Sequence, residues 1–189
     1  MPGPRHTLET ARLRVRLADA DDAAEAIDYD LRNAEHLRRW EPTRPADTFD
    51  PKARASALAS LRVSADADHV YKFFARLRDG DGDGRIVAAA TLSNVVRGAF
   101  QAAHLGYSVD AGFEGRGIAA ETVRAVVSFA FDTLRLHRVM ANYQPANERS
   151  GALLRRLGFV PEGYARDYLF LNGAWRDHIL TALVKPASS

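Results

Sequence analysis

The stretch SVDAGFEGRGIAAETVRAVVSFAF, residues 108–131, decides the fold, because it joins a strand to a helix through a turn crowded with glycine. Gly112, Gly115 and Gly117 fall close together, and then the glycines stop. The residues that follow have the spacing of an amphipathic helix, with apolar positions at Ile118, Val123, Val126, Val127, Ala130 and Leu134. The preceding run HLGYSV is typical of a strand. Such a turn presents backbone N–H groups at the positive end of a helix dipole, which is a favourable place for a phosphate.

The composition indicates a single globular domain, residues 1–189, with 47% hydrophobic and 26% charged residues. Lys and Arg number 26 and Asp and Glu 24, so we expect no direct binding to nucleic acid. No apolar run could cross a bilayer or serve as a signal peptide core, so we expect a cytoplasmic protein with no membrane partner. Cysteine is absent, which excludes disulfides, zinc–thiolate sites and a cysteine acyl-enzyme.

The rest of the chain alternates strand and helix signals. Strands are expected over residues 12–19, 70–77, 85–96, 137–143 and on both sides of the hairpin signal Asn172-Gly173. One helix is expected to bury Ala23, Ile27, Leu31, Ala34 and Leu37, and further helices are expected near Ala53–Leu61, from Ile118 and over 147–159. Prolines make residues 39–51 a loop. The pattern predicts a mixed α/β (α+β) fold with a mostly antiparallel sheet and one strand–helix–strand unit.

The acidic loop DGDGDG resembles the start of a calcium-binding EF-hand loop. Asp79, Asp81 and Asp83 have the right spacing, but the twelfth position is Ala90 where the loop requires Glu. Strand signals also flank the loop where helices should stand, so we expect a hairpin turn. The six histidines are scattered without the spacing of metal ligands, and we therefore expect no metal site.

Two other phosphate-binding motifs fail on their context. Residues 115–120 formally match the dinucleotide fingerprint G-x-G-x-x-A, which also needs a carboxylate at the end of the next strand. That strand ends near Asn142 and Tyr143, and too few residues follow it for a doubly wound sheet. A Walker loop is excluded because no Gly-Lys followed by Ser or Thr comes after the glycines. A glycine-rich turn needed only for close packing stays open as an alternative.

The turn resembles the acetyl-CoA-binding motif of the GNAT acetyltransferase superfamily, which runs Gln/Arg-x-x-Gly-x-Gly/Ala between a strand and a helix. Residues 112–117 align with it, and Gly112 departs from the first position. Longer stretches resemble the ribosomal-protein N-acetyltransferases of this superfamily, the RimJ/RimL type: RWEP (39–42), SNVVRGAFQAAHLGYS (93–108), HRVMANYQPANERSGALLRRLGF (137–159) and EGYARDYLFLNGAWRDHILTAL (162–183).

This resemblance implies a GNAT fold, in which a parallel strand pair splays apart around the pantetheine of acetyl-CoA and helices cover both faces of the sheet. It implies acetyl-CoA as co-substrate and no metal. The backbone of Tyr107, Ser108 and Val109 would contact the pantetheine. The pyrophosphate would lie on the turn, at Gly115, Arg116, Gly117, Ile118 and Ala119. We interpret Glu114 as pointing into solvent, because its charge is unexpected beside a phosphate.

Catalytic candidates also follow from the resemblance. Asn147 and Ser150 match the family's N-x-x-S, so Asn147 would bind the pantetheine arm and Ser150 would protonate the departing thiolate. Both also suit a helix start for structural reasons alone. Many relatives carry a tyrosine acid four residues later, where this chain has Leu154. Glu41 and His104 are candidates for the base, although each is equally consistent with an ordinary loop or surface residue.

The implied reaction is direct acetyl transfer, within a ternary complex, to the N-terminal amine of a protein, here an alanine-starting ribosomal protein. Trp40, Glu41, Asp28 and Asp30 are candidate acceptor contacts, the two aspartates by attracting a basic segment; an acidic helix face turned to solvent is the simpler interpretation. We expect a monomer or weak dimer. Two alternatives stay open: acetylation of a small amine or antibiotic, and a non-catalytic acyl-CoA-binding module that associates with ribosomes.

Overall fold

The computed structural model describes residues 6–78 and 84–186. Residues 79–83 of the predicted hairpin turn DGDGDG therefore lie outside the described residues. The strands in this part of the chain are β1 (Thr7–Glu9), β2 (Leu13–Leu17), β3 (Tyr71–Leu77), β4 (Ile86–Val96), β5 (Ala102–Val109), β6 (Arg138–Met140), β7 (Val160–Leu171) and β8 (Ala174–Val184). The α-helices are α1 (Ala23–Arg32), α2 (Ala34–Leu37), α3 (Pro51–Asp66), α4 (Ile118–Ser128) and α5 (Glu148–Arg156).

The strands form one mixed sheet in the order β1-β2-β3-β4-β5-β6-β8-β7. Neighbouring strands run antiparallel except β5 and β6, which are parallel. The parallel pair arises because the crossover from β5 to β6 passes through α4, as a parallel connection requires. The predicted mixed α/β fold with a mostly antiparallel sheet is confirmed.

Two apolar clusters show that helices cover both faces of the sheet. On one face Val123 and Val126 of α4 and Leu154 of α5 pack with sheet residues such as Phe73. We call this side of β5 the α4 face. On the other side, the α1 face, Tyr29 and Leu58 pack against Phe74, Ile86 and Ala89. Alternation along the strands sends successive side chains to the two faces, so β3 and β4 contribute buried residues to both clusters.

Local sequence explains where most elements begin and end. Leu13, Val15 and Leu17 of β2 are buried between arginines that reach solvent, as a half-exposed strand requires. Asp50 caps α3 by accepting the N–H of Ala53 at 2.8 Å, ahead of a proline at the first helical position. The predicted hairpin at Asn172-Gly173 is present, and both residues have positive φ, 52° and 83°, as a type I′ turn requires.

Three expectations are corrected by the structure, and one strand is additional to those expected. The first helix ends at Arg32, and it buries Tyr29 while Leu31 is 58% exposed, so its apolar face was assigned one step out of phase. The third helix is longer than expected, because nothing in its sequence breaks it before Asp66. The strand at 137–143 pairs regularly only over Arg138–Met140. A short first strand, β1, was not anticipated, since three residues carry too little periodicity to detect.

Candidate active site

The parallel pair separates shortly after it begins. β5 pairs with β6 through Ala102, Ala103 and His104 only. The chain beyond β6 then turns toward β8, where Tyr143 and Ile179 exchange backbone hydrogen bonds of 3.1 and 2.8 Å. Residues 105–109 of β5 consequently have a strand partner on the β4 side alone within the described residues. We call the wedge between residues 105–109 and 141–144 the β5–β6 gap.

The backbone of β5 offers unpaired groups to this gap. The N–H of Asp110 donates to the carbonyl of Val87 on β4 at 2.9 Å. Since backbone groups alternate in direction along a strand, those of Ser108 also face β4, while those of Tyr107 and Val109 face the gap. Tyr107 and Val109 can therefore hydrogen-bond an extended amide chain. Ser108 cannot do so through its backbone, and its side chain instead accepts a 3.1 Å hydrogen bond from Tyr29.

The glycine turn, residues 112–117, leads from β5 into α4. Gly115 and Gly117 have φ of +71° and +78°, a left-handed conformation that side chains disfavour. Gly117 is the N-cap of α4 and supplies no side chain to cap it. The N–H groups of the first turn, including those of Ile118 and Ala119, lack intrahelical partners at this end and can bind an anion.

Several arginines surround the glycine turn. The guanidinium of Arg116 lies 5.3 Å from the ring centroid of Phe113, and that of Arg85 lies 5.5 Å from the same ring. Arg12 donates to the carbonyl of Arg116 at 2.8 Å and pairs with Glu121 at 2.7 Å. Arg12, in the loop that precedes β2, therefore holds the glycine turn in place. The positive charge around the turn suits a phosphate.

Glu114 does not point freely into solvent, contrary to the sequence interpretation. Its carboxylate lies 2.5 Å from the guanidinium of Arg149 at the start of α5 and 3.5 Å from Nε2 of His36 on α2. The glycine turn brings Glu114 within reach of both helices, a proximity that no local sequence pattern reveals. The charge of Glu114 is thus balanced by a cation on the opposite side of the β5–β6 gap.

The start of α5 contains the two residues predicted from the N-x-x-S motif. Oδ1 of Asn147 accepts the N–H of Ser150 at 3.1 Å, so Asn147 caps the helix. Oγ of Ser150 lies 2.8 Å from the hydroxyl of Tyr107. Burial raises the pKa of Tyr107, and the hydrogen bond with Ser150 opposes this shift. Leu154, which stands where many relatives have tyrosine, is buried in the core.

The hydroxyl of Tyr107 is a site group that the sequence does not predict, because the family resemblance implies only a backbone role for Tyr107. A weak signal existed in the sequence. A tyrosine on the strand beside the glycine turn projects to one face of the sheet, and helix α5 packs on that same face. The sequence did not reveal which residue of α5 would meet it.

The two candidate bases occupy different places. His104 is the last residue of β5 that pairs with β6, and its side chain lies on the α1 face, opposite that of Tyr107. It is half-buried, and desolvation lowers its pKa, so its imidazole is neutral and able to accept a proton at pH 7. Glu41 pairs with Arg44 at 2.9 Å.

The loop that carries Trp40 and Glu41 is fixed to the β7–β8 hairpin. The amide of Asn172 donates to the carbonyls of Arg38 and Glu41 at 2.6 and 3.0 Å, and it accepts the N–H of Thr43 at 2.7 Å. Trp40 stacks against the guanidinium of Arg39, 4.8 Å from the ring centroid. Loop and hairpin therefore form one continuous wall on the α1 face.

The acidic helix α1 does not present Asp30 to a partner. Asp30 is 4% exposed and pairs with Arg44 at 3.0 Å and with Arg54 at 2.7 Å. The expectation that Asp30 attracts a basic acceptor is therefore wrong, because arginines distant in sequence neutralise it. Asp28 is exposed but pairs with Arg32 at 2.8 Å. Asp28 stays a candidate acceptor contact.

Two surface hollows flank these elements. An open groove of about 450 Å³ borders the end of the β5–β6 gap, between Gln144 and the hairpin residues Tyr164 and Trp175. A smaller cavity of about 250 Å³ lies between α4 and β8, away from the groups described above.

Within residues 6–78 and 84–186 there is no cluster of three His, Cys, Asp or Glu able to hold a metal ion. In the same ranges, no helix is both long and apolar enough to span a membrane.

The geometry therefore joins three features: an anion-binding turn, an open strand edge for an amide chain, and a hydroxyl pair beside that edge. These features match what a pantetheine thioester with a pyrophosphate would need. The chain also matches known proteins along most of its length. The family model of the acetyltransferase (GNAT) domain matches residues 12–160.

Curated and solved relatives agree with this match. The ribosomal protein uS5-alanine N-acetyltransferase of Escherichia coli (strain K12) is 42% identical over 183 residues, covering 97% of this chain and 93% of the relative. Ribosomal-protein-S5-alanine acetyltransferase from Vibrio fischeri has a TM-score of 0.89 at 36% identity, covering 96% of this chain and 100% of the other. RimJ of Mycobacterium smegmatis, in complex with CoA-disulfide, has a TM-score of 0.84 at 31% identity, covering 97% and 88%. The chain belongs to the GNAT acetyltransferases and is an N-acetyltransferase of this family.

Proposed function

We propose that this enzyme transfers the acetyl group of acetyl-CoA to the N-terminal α-amine of a ribosomal protein that begins with alanine. The Escherichia coli and Vibrio fischeri relatives, both named as ribosomal-protein-alanine acetyltransferases, support this acceptor. The observation that carries the proposal is the β5–β6 gap with the Tyr107–Ser150 hydroxyl pair at its edge. The proposal takes residues 1–189 as one catalytic domain, a monomer or weak dimer that acts in the cytoplasm, where ribosomes are made.

Acetyl-CoA would lie along the gap in an extended conformation. Backbone groups of Tyr107 and Val109 would pair with the pantetheine amides in the manner of an added strand. The N–H groups from Gly115 to Ala119 would hold the pyrophosphate, with Arg116 nearby. Asn147, whose Oδ1 caps α5, would contact the pantetheine through its remaining amide N–H groups.

The thioester would then lie beside Ser150. The neutral α-amine attacks the carbonyl carbon of the thioester, the carbon–sulfur bond breaks, and the CoA thiolate takes a proton from the hydroxyl of Ser150. Tyr107 passes a proton to Ser150 through their 2.8 Å hydrogen bond and regains one from solvent, which receives the proton that the base takes from the amine. The amine loses its extra proton to a base on the α1 face, for which His104 and Glu41 are the candidates. Because the chain has no cysteine, transfer is direct and needs both substrates bound together.

The acceptor makes only a small demand on the base. A free α-amino group has a pKa of about 8, so roughly one molecule in ten is neutral at pH 7. A lysine side chain at about 10.4 would need ~4–5 kcal/mol to deprotonate at that pH. An α-amine is therefore the acceptor that a modest base such as a half-buried histidine can serve.

The test compares the N-termini of ribosomal proteins, by mass spectrometry, in cells with and without the gene. Loss of acetylation on one alanine-starting protein, restored by the wild-type gene but not by the Ser150→Ala variant, is the expected result. Unchanged N-termini together with turnover of small amines by the purified enzyme would favour the small-molecule alternative. Tight acetyl-CoA binding without turnover on any amine would favour the non-catalytic module.

A further inference from the structure

An open depression lies on the α1 face of the sheet, at Gly106. Gly106 belongs to the central strand β5, yet it is exposed. A Cβ added to it would meet no described atom within 4 Å, its own chain neighbours apart. Its φ is outside the left-handed range, so the backbone does not require glycine there. Glycine inside a strand is less favourable than alanine, and such a glycine often marks a close approach by another molecule.

Polar residues surround this depression. Gly106 pairs with Thr91 on β4, and Thr91 pairs with Lys72 on β3, so these three residues form a row across one face. His104 and Ser108 stand two positions away along β5 and project to that same face. The side chains that surround Gly106 are half-buried: Lys72, Thr91, His104 and Ser108. We call the space above Gly106 and between these side chains the Gly106 depression.

The depression opens beside the reacting groups. Gly106 is adjacent to Tyr107, whose backbone borders the β5–β6 gap and whose hydroxyl reaches Ser150 on the α4 face. Gly106 therefore offers an open approach to the gap from the α1 face. The candidate base His104 faces the same depression. The amine acceptor thus has an approach that does not compete with the Tyr107–Ser150 pair.

We propose that the Gly106 depression receives the side chain of the acceptor's first residue and restricts it to small residues such as glycine, alanine and serine. This inference rests on the proposed function and names the residue that sets its specificity. The space corresponds to a missing side chain in the floor, bounded by Thr91, His104 and Ser108. Lys72, whose Nζ lies 5.6 Å from the ring centroid of Phe74, closes the row at one end of the depression.

The test uses peptides that differ only in their first residue, Gly, Ala, Ser or Val, with wild-type enzyme and Gly106→Ala. A methyl group placed in the depression should lower kcat/KM for the Ala peptide about tenfold more than for the Gly peptide. The dissociation constant of acetyl-CoA should be unchanged, and the melting temperature should be unchanged or higher. The matched control is Gly163→Ala on β7, where an added Cβ also meets nothing within 4 Å; it should alter none of these quantities.

Two failures are distinguishable. If wild-type enzyme acetylates the Ala peptide and Gly106→Ala lowers kcat/KM equally for every peptide, or for none, the inference is overturned and the proposed function stands. If wild-type enzyme binds acetyl-CoA but acetylates no peptide in the set, the proposed function is overturned and the inference with it.

Discussion

The hydroxyls of Tyr107 and Ser150, 2.8 Å apart, join strand β5 to the first turn of α5 at the edge of the β5–β6 gap. Either oxygen can donate this hydrogen bond. The family resemblance implies a tyrosine where this chain has Leu154, and we infer that the hydroxyl of Tyr107, which arrives from the strand, takes that place. The helix contributes the serine, and the strand contributes the phenol that can replace its proton.

Ser150→Ala should lower kcat about a hundredfold while changing the KM for acetyl-CoA little, since general acid catalysis contributes in this range. Tyr107→Phe should lower kcat by a smaller factor, because water can still supply a proton to Ser150. Steady-state kinetics with an alanine-starting peptide measure both effects. A Ser150→Ala variant that loses melting temperature but keeps its turnover number would reduce Ser150 to a helix-start residue.

Gly151→Ala should destabilise the enzyme, because an added Cβ would lie 2.7–2.8 Å from ring atoms of Tyr143. Overpacking of this kind costs about 1–3 kcal/mol. Urea denaturation measures the change, and the double variant Gly151→Ala/Tyr143→Leu should recover part of it. If the double variant loses as much stability as the two single substitutions together, the contact between residue 151 and Tyr143 does not limit how closely α5 approaches the sheet.

Sequence patterns predicted local features well and long-range ones poorly. The glycine turn, the capping of α5 by Asn147 and the Asn172-Gly173 hairpin depend on neighbouring residues, and each is present. By contrast, the pairing of Glu114 with Arg149 joins residues 35 positions apart. The neutralisation of Asp30 by Arg54 spans 24 positions. Such contacts depend on how elements pack, which periodicity does not encode.

The resemblance to GNAT enzymes anticipated the splayed strand pair but not its side-chain arrangement. It assigned three consecutive β5 residues to the pantetheine, whereas strand alternation lets only Tyr107 and Val109 turn their backbones to the gap. The predicted buried side of helix α1 is also wrong, because the helix buries Tyr29 and Asp30 instead of Leu31. The buried carboxylate of Asp30 is paired with Arg44 and Arg54, which come from segments outside the helix.

Acetyl-CoA binding should depend on close backbone approach at the glycine turn. Gly115→Val should raise the dissociation constant of acetyl-CoA at least about tenfold, because the side chain would keep the phosphates from the N–H groups. Gly98→Val is the matched control: Gly98 has φ of +70° against +71° for Gly115, and an added Cβ meets nothing within 4 Å at either residue. Isothermal titration calorimetry distinguishes them, and equal affinity in the two folded variants would contradict the phosphate assignment.

The pH profile tests His104 as the base. Burial lowers the pKa of His104, so its imidazole is neutral above about pH 6.5. The stability that the neutral imidazole contributes is present above that pH, and it is lost as the pH falls through the lowered pKa of His104 in the folded enzyme. Below about pH 8 the α-amine alone gives log kcat/KM a slope of one. If His104 accepts the proton, the slope should become two below the lowered pKa of His104. His104→Gln should lower kcat/KM and keep a slope of one throughout. A wild-type slope that never exceeds one would transfer the role to Glu41 or to water.

Glu114→Gln should tighten acetyl-CoA binding. The carboxylate of Glu114 sits on the glycine turn and holds the guanidinium of Arg149, whose side chain is 81% exposed. Removing the negative charge frees Arg149 to face a phosphate and removes a repulsion, so the dissociation constant should fall about two- to fivefold at low ionic strength. Stability should hardly change, since exposed ion pairs contribute little. The gain should shrink in high salt as the charges are screened. The matched control is Glu162→Gln on β7, which removes the carboxylate partner of Arg138 on β6. It should leave the affinity for acetyl-CoA unchanged. Weaker binding by Glu114→Gln would mean that the pair with Arg149 holds the turn in its binding conformation and that this fixation outweighs the repulsion.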